Sequence, residues 1–188
     1  IVPASWRTPC WLLDTYLAEA GEDKELNLVR AQLDIDAEEY APALAVFDRL
    51  LAAEPEQPDV LFTAAVLALE VDALEQARVY LNRLHEIGRR EDDVAFLFGQ
   101  LEEQVGNEDA ALGWYARVDG PNATDATVRI ARLHAATGDM TRAQDMLQQL
   151  RDQMPDDAVT LFLIEGEMLR QHDADQQLAL GTQLHGLP

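Results

Sequence analysis

Small, large apolar and polar positions follow one pattern that repeats every 34 residues along most of the chain. Each copy carries a small residue, followed four positions later by a large apolar one. The small residues are Ala43, Ala77 and Ala111, and the large ones are Phe47, Leu81 and Tyr115. An upstream set of small residues with the same spacing consists of Ala31, Ala65 and Gly99. Because two helices can approach almost backbone to backbone only where a side chain is tiny, the pattern predicts tightly packed helix pairs.

The copies continue towards the carboxyl end. A fourth copy carries Ala131 and Ala143 as its small residues, and it is two residues shorter, with the loss in the loop at 120–122. A fifth copy starts near Ala158 and becomes irregular after His172. Gly-Asn or Gly-Asp pairs, at 106–107 and 138–139, stand between the two helices of a copy, where a left-handed residue closes the turn.

This spacing resembles the tetratricopeptide repeat (TPR), a helix–turn–helix unit of 34 residues. The resemblance covers roughly residues 24–170 and includes Pro55 and Pro155 where the second helix of a repeat ends. It implies an all-α fold, a right-handed α–α superhelix of stacked repeats. We expect the array at 24–188, with repeats at about 24–57, 58–91, 92–123, 124–157 and 158–188. Residues 1–23 are expected to form a capping helix or the second helix of a truncated preceding repeat.

The net negative charge of the chain disfavours some classes of binding partner. The 188 residues include 35 acidic and 14 basic ones, a formal net charge of −21. A surface this negative repels phosphate backbones and anionic lipid headgroups, so nucleic acid is not an expected partner. No apolar run approaches the roughly 18 residues that span a bilayer, so we expect no direct membrane insertion by this segment. Partners with basic or mixed surfaces are favoured.

The sequence offers no recognisable catalytic or metal-binding motif. The four histidines, at 85, 134, 172 and 185, have no Cys or second His at ligand spacing. Acidic pairs lack the spacing of a calcium-binding loop. The single cysteine, Cys10, cannot form an internal disulfide. We therefore expect a protein that binds another protein, not an enzyme, with no catalytic residue, metal or cofactor.

In TPR proteins the first helix of each repeat lines the concave face, so the resemblance implies a partner-binding groove there. The predicted groove residues are Leu28, Gln32, Asp59, Phe62, Val66, Leu69, Glu70, Asp93, Phe96, Gln100, Glu103 and Arg132. Among them, Phe62, Val66, Leu69 and Phe96 predict a partly exposed apolar strip bordered by carboxylates, which is typical of a binding site. The alternative, that such side chains pack between neighbouring helices, stays equally open at the related positions 128 and 162.

A narrower resemblance covers residues 114–171. The Trp-Tyr-x-x-Val end, the short loop, the Arg-x-Ala pair and the Leu-x-x-Leu-Arg stretch are similar to the central repeats of bacterial outer-membrane TPR lipoproteins. These act as periplasmic adaptors, and one pairs with a carboxyl-terminal processing protease and brings it to cell-wall hydrolases. The resemblance implies a section of a longer periplasmic lipoprotein. The alternatives are a cytoplasmic TPR scaffold in secretion, pilus assembly or regulation, and an interaction module cut from a multidomain enzyme.

Overall fold

The structure, a computed structural model, describes residues 23–154 together with 162, 164–166, 168–170 and 172–174. The helix predicted within 1–23, Cys10, His185 and most of the predicted repeat 158–188 lie outside the described residues. Between residues 23 and 154 the chain forms eight α-helices and no strand. They are α1 (Lys24–Asp36), α2 (Tyr40–Ala53), α3 (Pro58–Glu70), α4 (Leu74–Ile87), α5 (Glu91–Val105), α6 (Glu108–Tyr115), α7 (Ala123–Ala136) and α8 (Met140–Gln153).

Helix ends follow from the local sequence. The carboxylate of Asp23 accepts hydrogen bonds from two backbone N–H groups in the first turn of α1, and Asp139 accepts one in α8. Pro58 begins α3, where its missing N–H would have no helical partner. Gly106 and Gly138 adopt φ of 82° and 91° between the two helices of a pair, which confirms the predicted left-handed positions.

The chain forms two compact units, divided between Leu97 and Phe98. In the first unit, α1 packs against α2, α2 against α3, and α3 against α4. In the second unit, α6 packs against α7, and α7 against α8. These neighbouring helices contact each other in chain order, as helix–turn–helix repeats require.

The small residues singled out by the repeat occupy the helix contacts. In the first unit they are all fully buried, at 0% exposure: Ala31, Ala43, Ala65 and Ala77. In the second unit Ala111, Ala131 and Ala143 are equally buried, and Gly99 is buried too. Ala131 and Ala143 share one apolar cluster with Leu147, Leu150 and Met168. The predicted packing role of the small residues is confirmed.

Candidate partner-binding surface

The predicted apolar strip lies on α3 and α5 of the first unit. Phe62, Val66 and Phe96 are partly buried, so each leaves some apolar surface accessible. Leu69 is only 5% exposed, and the prediction that it belongs to an exposed strip is wrong. It lies in the last turn of α3, beside the tight turn into α4, where its carbonyl oxygen accepts a hydrogen bond from the Asp72 N–H at 3.2 Å. The strip therefore consists of three residues.

An arginine that the sequence did not single out covers part of this strip. The guanidinium carbon of Arg90 lies 3.7 Å from the centroid of the Phe62 ring. Arg90 Nη1 lies 3.6 Å from Asp59 Oδ1, and Arg90 Nε donates a hydrogen bond to Asp93 Oδ2 at 3.0 Å. We call these four residues, Asp59, Phe62, Arg90 and Asp93, the Arg90 cluster. It joins the start of α3 to the start of α5.

Arg90 is held more firmly by Asp93 than by Asp59. The Asp59 side chain is 97% exposed and only approaches Arg90, so water screens that ion pair strongly. Asp93 is half-buried and makes a hydrogen bond of ordinary length. Arg90 itself has φ of 56°, a left-handed conformation that side chains with a β-carbon adopt rarely. Its carbonyl oxygen accepts the Val94 N–H at 2.8 Å, the first turn of α5. From this position the Arg90 side chain reaches Phe62 and Asp59 on α3.

In the second unit, the predicted groove carboxylate Glu103 is engaged internally. The Tyr115 hydroxyl donates a hydrogen bond to Glu103 Oε2 at 2.6 Å, and Arg129 Nη1 donates one to the same oxygen at 2.9 Å. The Arg129 guanidinium also lies 6.0 Å from the centroid of the Tyr115 ring. Glu103 therefore fixes a helix contact, because its carboxylate accepts hydrogen bonds from α6 and α7 together.

Two buried tyrosines share this arrangement. Burial raises the pKa of Tyr115 far above its usual range, and the hydrogen bond to Glu103 acts in the same direction. In the first unit, the Tyr80 hydroxyl donates to Asp48 Oδ1 at 2.7 Å. Burial likewise raises the pKa of Tyr80, followed by the hydrogen bond to Asp48. Both tyrosines are therefore structural donors that stay protonated over the physiological range.

The other predicted positions differ in what they offer a partner. Exposed polar side chains are found at Gln32 and Glu70 in the first unit and at Arg132 in the second. The amide of Gln32 donates to Asp36 on its own helix at 2.8 Å. Two further positions, Leu28 and Gln100, are partly buried.

Val128 and Phe162, for which the sequence leaves packing between helices open, differ in the structure. Val128 packs against the apolar cluster of the second unit, as the packing alternative requires. Phe162 is 67% exposed, so packing between helices does not account for its side chain.

Sequence reasoning missed the partners of the carboxylates, namely Arg90, Tyr115 and Arg129. The repeat pattern identifies Tyr115 only as a large packing residue. The signal that could have found Arg90 is its place directly before the acidic start of α5, where residues 91–93 are all Asp or Glu. A cation beside such a start has carboxylates within reach.

Two observations concern the described part of the chain only. None of its helices is long and apolar enough to cross a membrane. No group of three or more His, Cys, Asp or Glu side chains in this part is arranged to hold a metal ion.

Comparison with known proteins gives the fold. No protein-family model and no curated protein matches the sequence at a significant level. Solved structures do match. A TPR protein from Parabacteroides merdae superimposes with a TM-score of 0.66 at 17% identity, over 91% of this chain and 68% of that one.

Two further solved structures are similar over nearly their whole length. A thermophilic TPR protein from Thermus thermophilus gives a TM-score of 0.59 at 19% identity, over 87% of this chain and 90% of that one. YrrB, described as a TPR protein with an unusual peptide-binding site, gives 0.60 at 19% identity, over 91% and 97%. At these identities the likeness shows the fold. The chain has the all-α, tetratricopeptide-type fold, and the predicted fold class is confirmed.

Proposed function

We propose that the chain is a protein-interaction scaffold that binds its partner on the first-helix surface of the first unit. This surface is formed by Leu28, Gln32, Asp59, Phe62, Val66, Glu70, Asp93 and Phe96. The observation that carries the proposal is that Phe62, Val66 and Phe96 stay partly accessible beside exposed carboxylates. The structural likeness to YrrB, which has a peptide-binding site, supports a protein or peptide as the ligand.

Binding on this surface works by preorganisation. The aromatic and aliphatic side chains stand on helices whose contacts are already formed, so association orders few groups and loses little conformational entropy. Desolvated apolar anchors supply most of the affinity at protein interfaces. The carboxylates of Asp59 and Glu70 are exposed, and they select basic side chains and raise the association rate.

The test begins with a pull-down from cell-envelope extract with the chain as bait, followed by titration of the recovered partner. Replacing Phe62 and Phe96 together by Ala should weaken binding by roughly 2 kcal/mol or more, because two anchors are lost. The matched control replaces Tyr40 and Val79, which are exposed on the second helices α2 and α4. This control should bind like the parent. Equal binding by both double variants would place the partner on another face.

The carboxylates are tested in the same titration. Changing Asp59, Glu70 and Asp93 to their amides should mostly slow association and flatten its salt dependence, because screening acts on exposed charges. The matched control changes Glu56, Glu75 and Glu86, all exposed elsewhere in the first unit, and alters the net charge by the same amount. If both sets slow association equally, net charge alone acts and the carboxylates of the first-helix surface have no special role.

We further propose that the chain belongs to a longer periplasmic adaptor, anchored in the outer membrane, that recruits a carboxyl-terminal processing protease and its cell-wall hydrolase substrates. The similarity of residues 114–171 to the central repeats of such lipoproteins supports this. Mass spectrometry of the pull-down should find the protease or a hydrolase, and fractionation should place the full-length protein with the outer membrane. Recovery in the cytoplasmic fraction would favour the cytoplasmic scaffold instead.

A further inference from the structure

The Arg90 cluster combines the groups that recognise an arginine side chain. A guanidinium is planar and positively charged, so it stacks on an aromatic face and pairs with carboxylates at its edges. Phe62 supplies the face, at 3.7 Å from the guanidinium carbon of Arg90. Asp59 and Asp93 supply the carboxylates on either side, at 3.6 Å and 3.0 Å. The site therefore already holds a guanidinium, contributed by the chain itself.

The occupant is placed where a competitor can reach it. The Arg90 side chain is 38% exposed, and the Asp59 carboxylate is almost fully exposed. Exposed ion pairs contribute little net free energy, so exchange of one guanidinium for another loses little on the Asp59 side. Phe62 belongs to the apolar strip of the first-helix surface, so a partner lying on this surface passes directly over Arg90.

We infer that Asp59, Phe62 and Asp93 form a binding site for an arginine side chain of the partner, and that Arg90 is an internal occupant displaced on binding. This rests on the proposed function and names the chemistry of the partner. Arg90 then acts as an internal competitor. A partner without an arginine at this place gains no affinity from the site, and a partner with one must displace Arg90. The apparent affinity of the site for the partner's arginine equals the intrinsic affinity multiplied by the fraction of time that Arg90 leaves the site empty.

The experiment uses the whole chain and a defined probe. N-acetyl-arginine amide is titrated into the 15N-labelled protein, and N-acetyl-citrulline amide, which has nearly the same shape without the charge, serves as the probe control. Arg90→Gln should bind the arginine probe at least about threefold more tightly than the parent, because the competitor is gone. Shifted amide signals should concentrate at residues 59–66 and 91–96. The citrulline probe should shift none of them.

The matched variant is Arg89→Gln, which changes an exposed neighbour and alters the net charge by the same amount. It should bind the arginine probe like the parent. Asp59→Asn added to Arg90→Gln should reverse the gain, and it leaves packing intact because Asp59 is solvent-exposed. If Arg90→Gln lowers stability but binds the probe no better than Arg89→Gln, Arg90 only links α3 to α5, and the inference is overturned. Probe signals outside the cluster would overturn it as well.

The inference and the proposed function fail separately. If the arginine probe does not bind at the cluster in the Arg90→Gln variant, the arginine site is overturned. This holds even if changing Phe62 and Phe96 to Ala weakens binding of the recovered partner. If the probe binds at the cluster but the recovered partner binds the double alanine variant as tightly as the parent, the cluster binds a guanidinium, whereas the proposed place of partner binding and the assignment of the site to the partner's arginine are both overturned.

Discussion

Gly99→Ala should destabilise the second unit, although alanine is the better helix former. Gly99 lies in α5, and a β-carbon added there would overlap the ring of Tyr115. That ring is 1% exposed, and its hydroxyl is tied to Glu103 at 2.6 Å. The Arg129 guanidinium also lies near the ring and binds the same Glu103 oxygen. The ring therefore has little freedom to move aside.

The magnitude follows from opposing effects. Replacing an interior helical glycine by alanine alone stabilises by about 0.5–1 kcal/mol. Overpacking a filled contact costs about 1–3 kcal/mol. Displacing the ring would also weaken a hydrogen bond to a charged group, an interaction that contributes about 1.5–3 kcal/mol. Overpacking less the gain from alanine leaves a loss of about 0–2.5 kcal/mol, and the weakened hydrogen bond adds to it, so we expect a net loss of about 1–4 kcal/mol in the free energy of unfolding.

The assay is urea denaturation followed by circular dichroism. Gly113→Ala is the matched control, because Gly113 lies in α6 and a β-carbon there meets no atom within 4 Å. It should be neutral or stabilise by up to about 1 kcal/mol. In a Tyr115→Ala background the effect of Gly99→Ala should change sign, since the obstructing ring is absent. A Gly99→Ala protein as stable as Gly113→Ala, or one still destabilised without the ring, would refute the reasoning.

Two further predictions concern stability. Ala77→Leu or Ala111→Leu should each cost about 1–3 kcal/mol in chemical denaturation, because both positions are fully buried at helix contacts; neutral results at both would mean that the contacts are misplaced. Because the folded-state pKa values of Tyr80 and Tyr115 are raised, stability should be intact below pH of about 10 and fall as pH rises above it. Changing both residues to Phe should flatten that alkaline decline, and an unchanged decline would contradict the assignment.

The fold could be predicted because every copy of the repeat meets the same packing constraint. Wherever two helices cross closely the side chain must be small, so the constraint leaves a mark at a fixed interval, as in Ala43 and Ala77. Left-handed turns mark the sequence in the same way, through Gly106 and Gly138. A constraint that every repeat shares can therefore be recognised from the sequence alone.

The site could be predicted only in part, because its decisive contacts occur once. Arg90 and Asp59 lie 31 residues apart and meet through side-chain conformations that no periodic pattern encodes. Repeat position predicts Glu103 on the binding face, yet Tyr115 and Arg129 donate hydrogen bonds to its carboxylate. Repeat position also predicts exposure for Leu69, yet its side chain is buried. Repeat position gives the face of a helix, whereas contacts with neighbouring elements decide whether a side chain on that face is accessible.

In the proposed function, Phe62 is an apolar anchor, and the Arg90 cluster bears on how such a ring is kept on the surface. An exposed apolar patch is needed for binding and is at the same time a liability for aggregation. The Arg90 guanidinium lies over the Phe62 ring and shields that apolar area from water, while the guanidinium itself remains solvated. Because Arg90 is held partly by an exposed carboxylate, the inferred displacement by a partner should cost little stability. In the proposed function, the same contact shields the Phe62 ring in the free protein and leaves the first-helix surface open to the proposed partner.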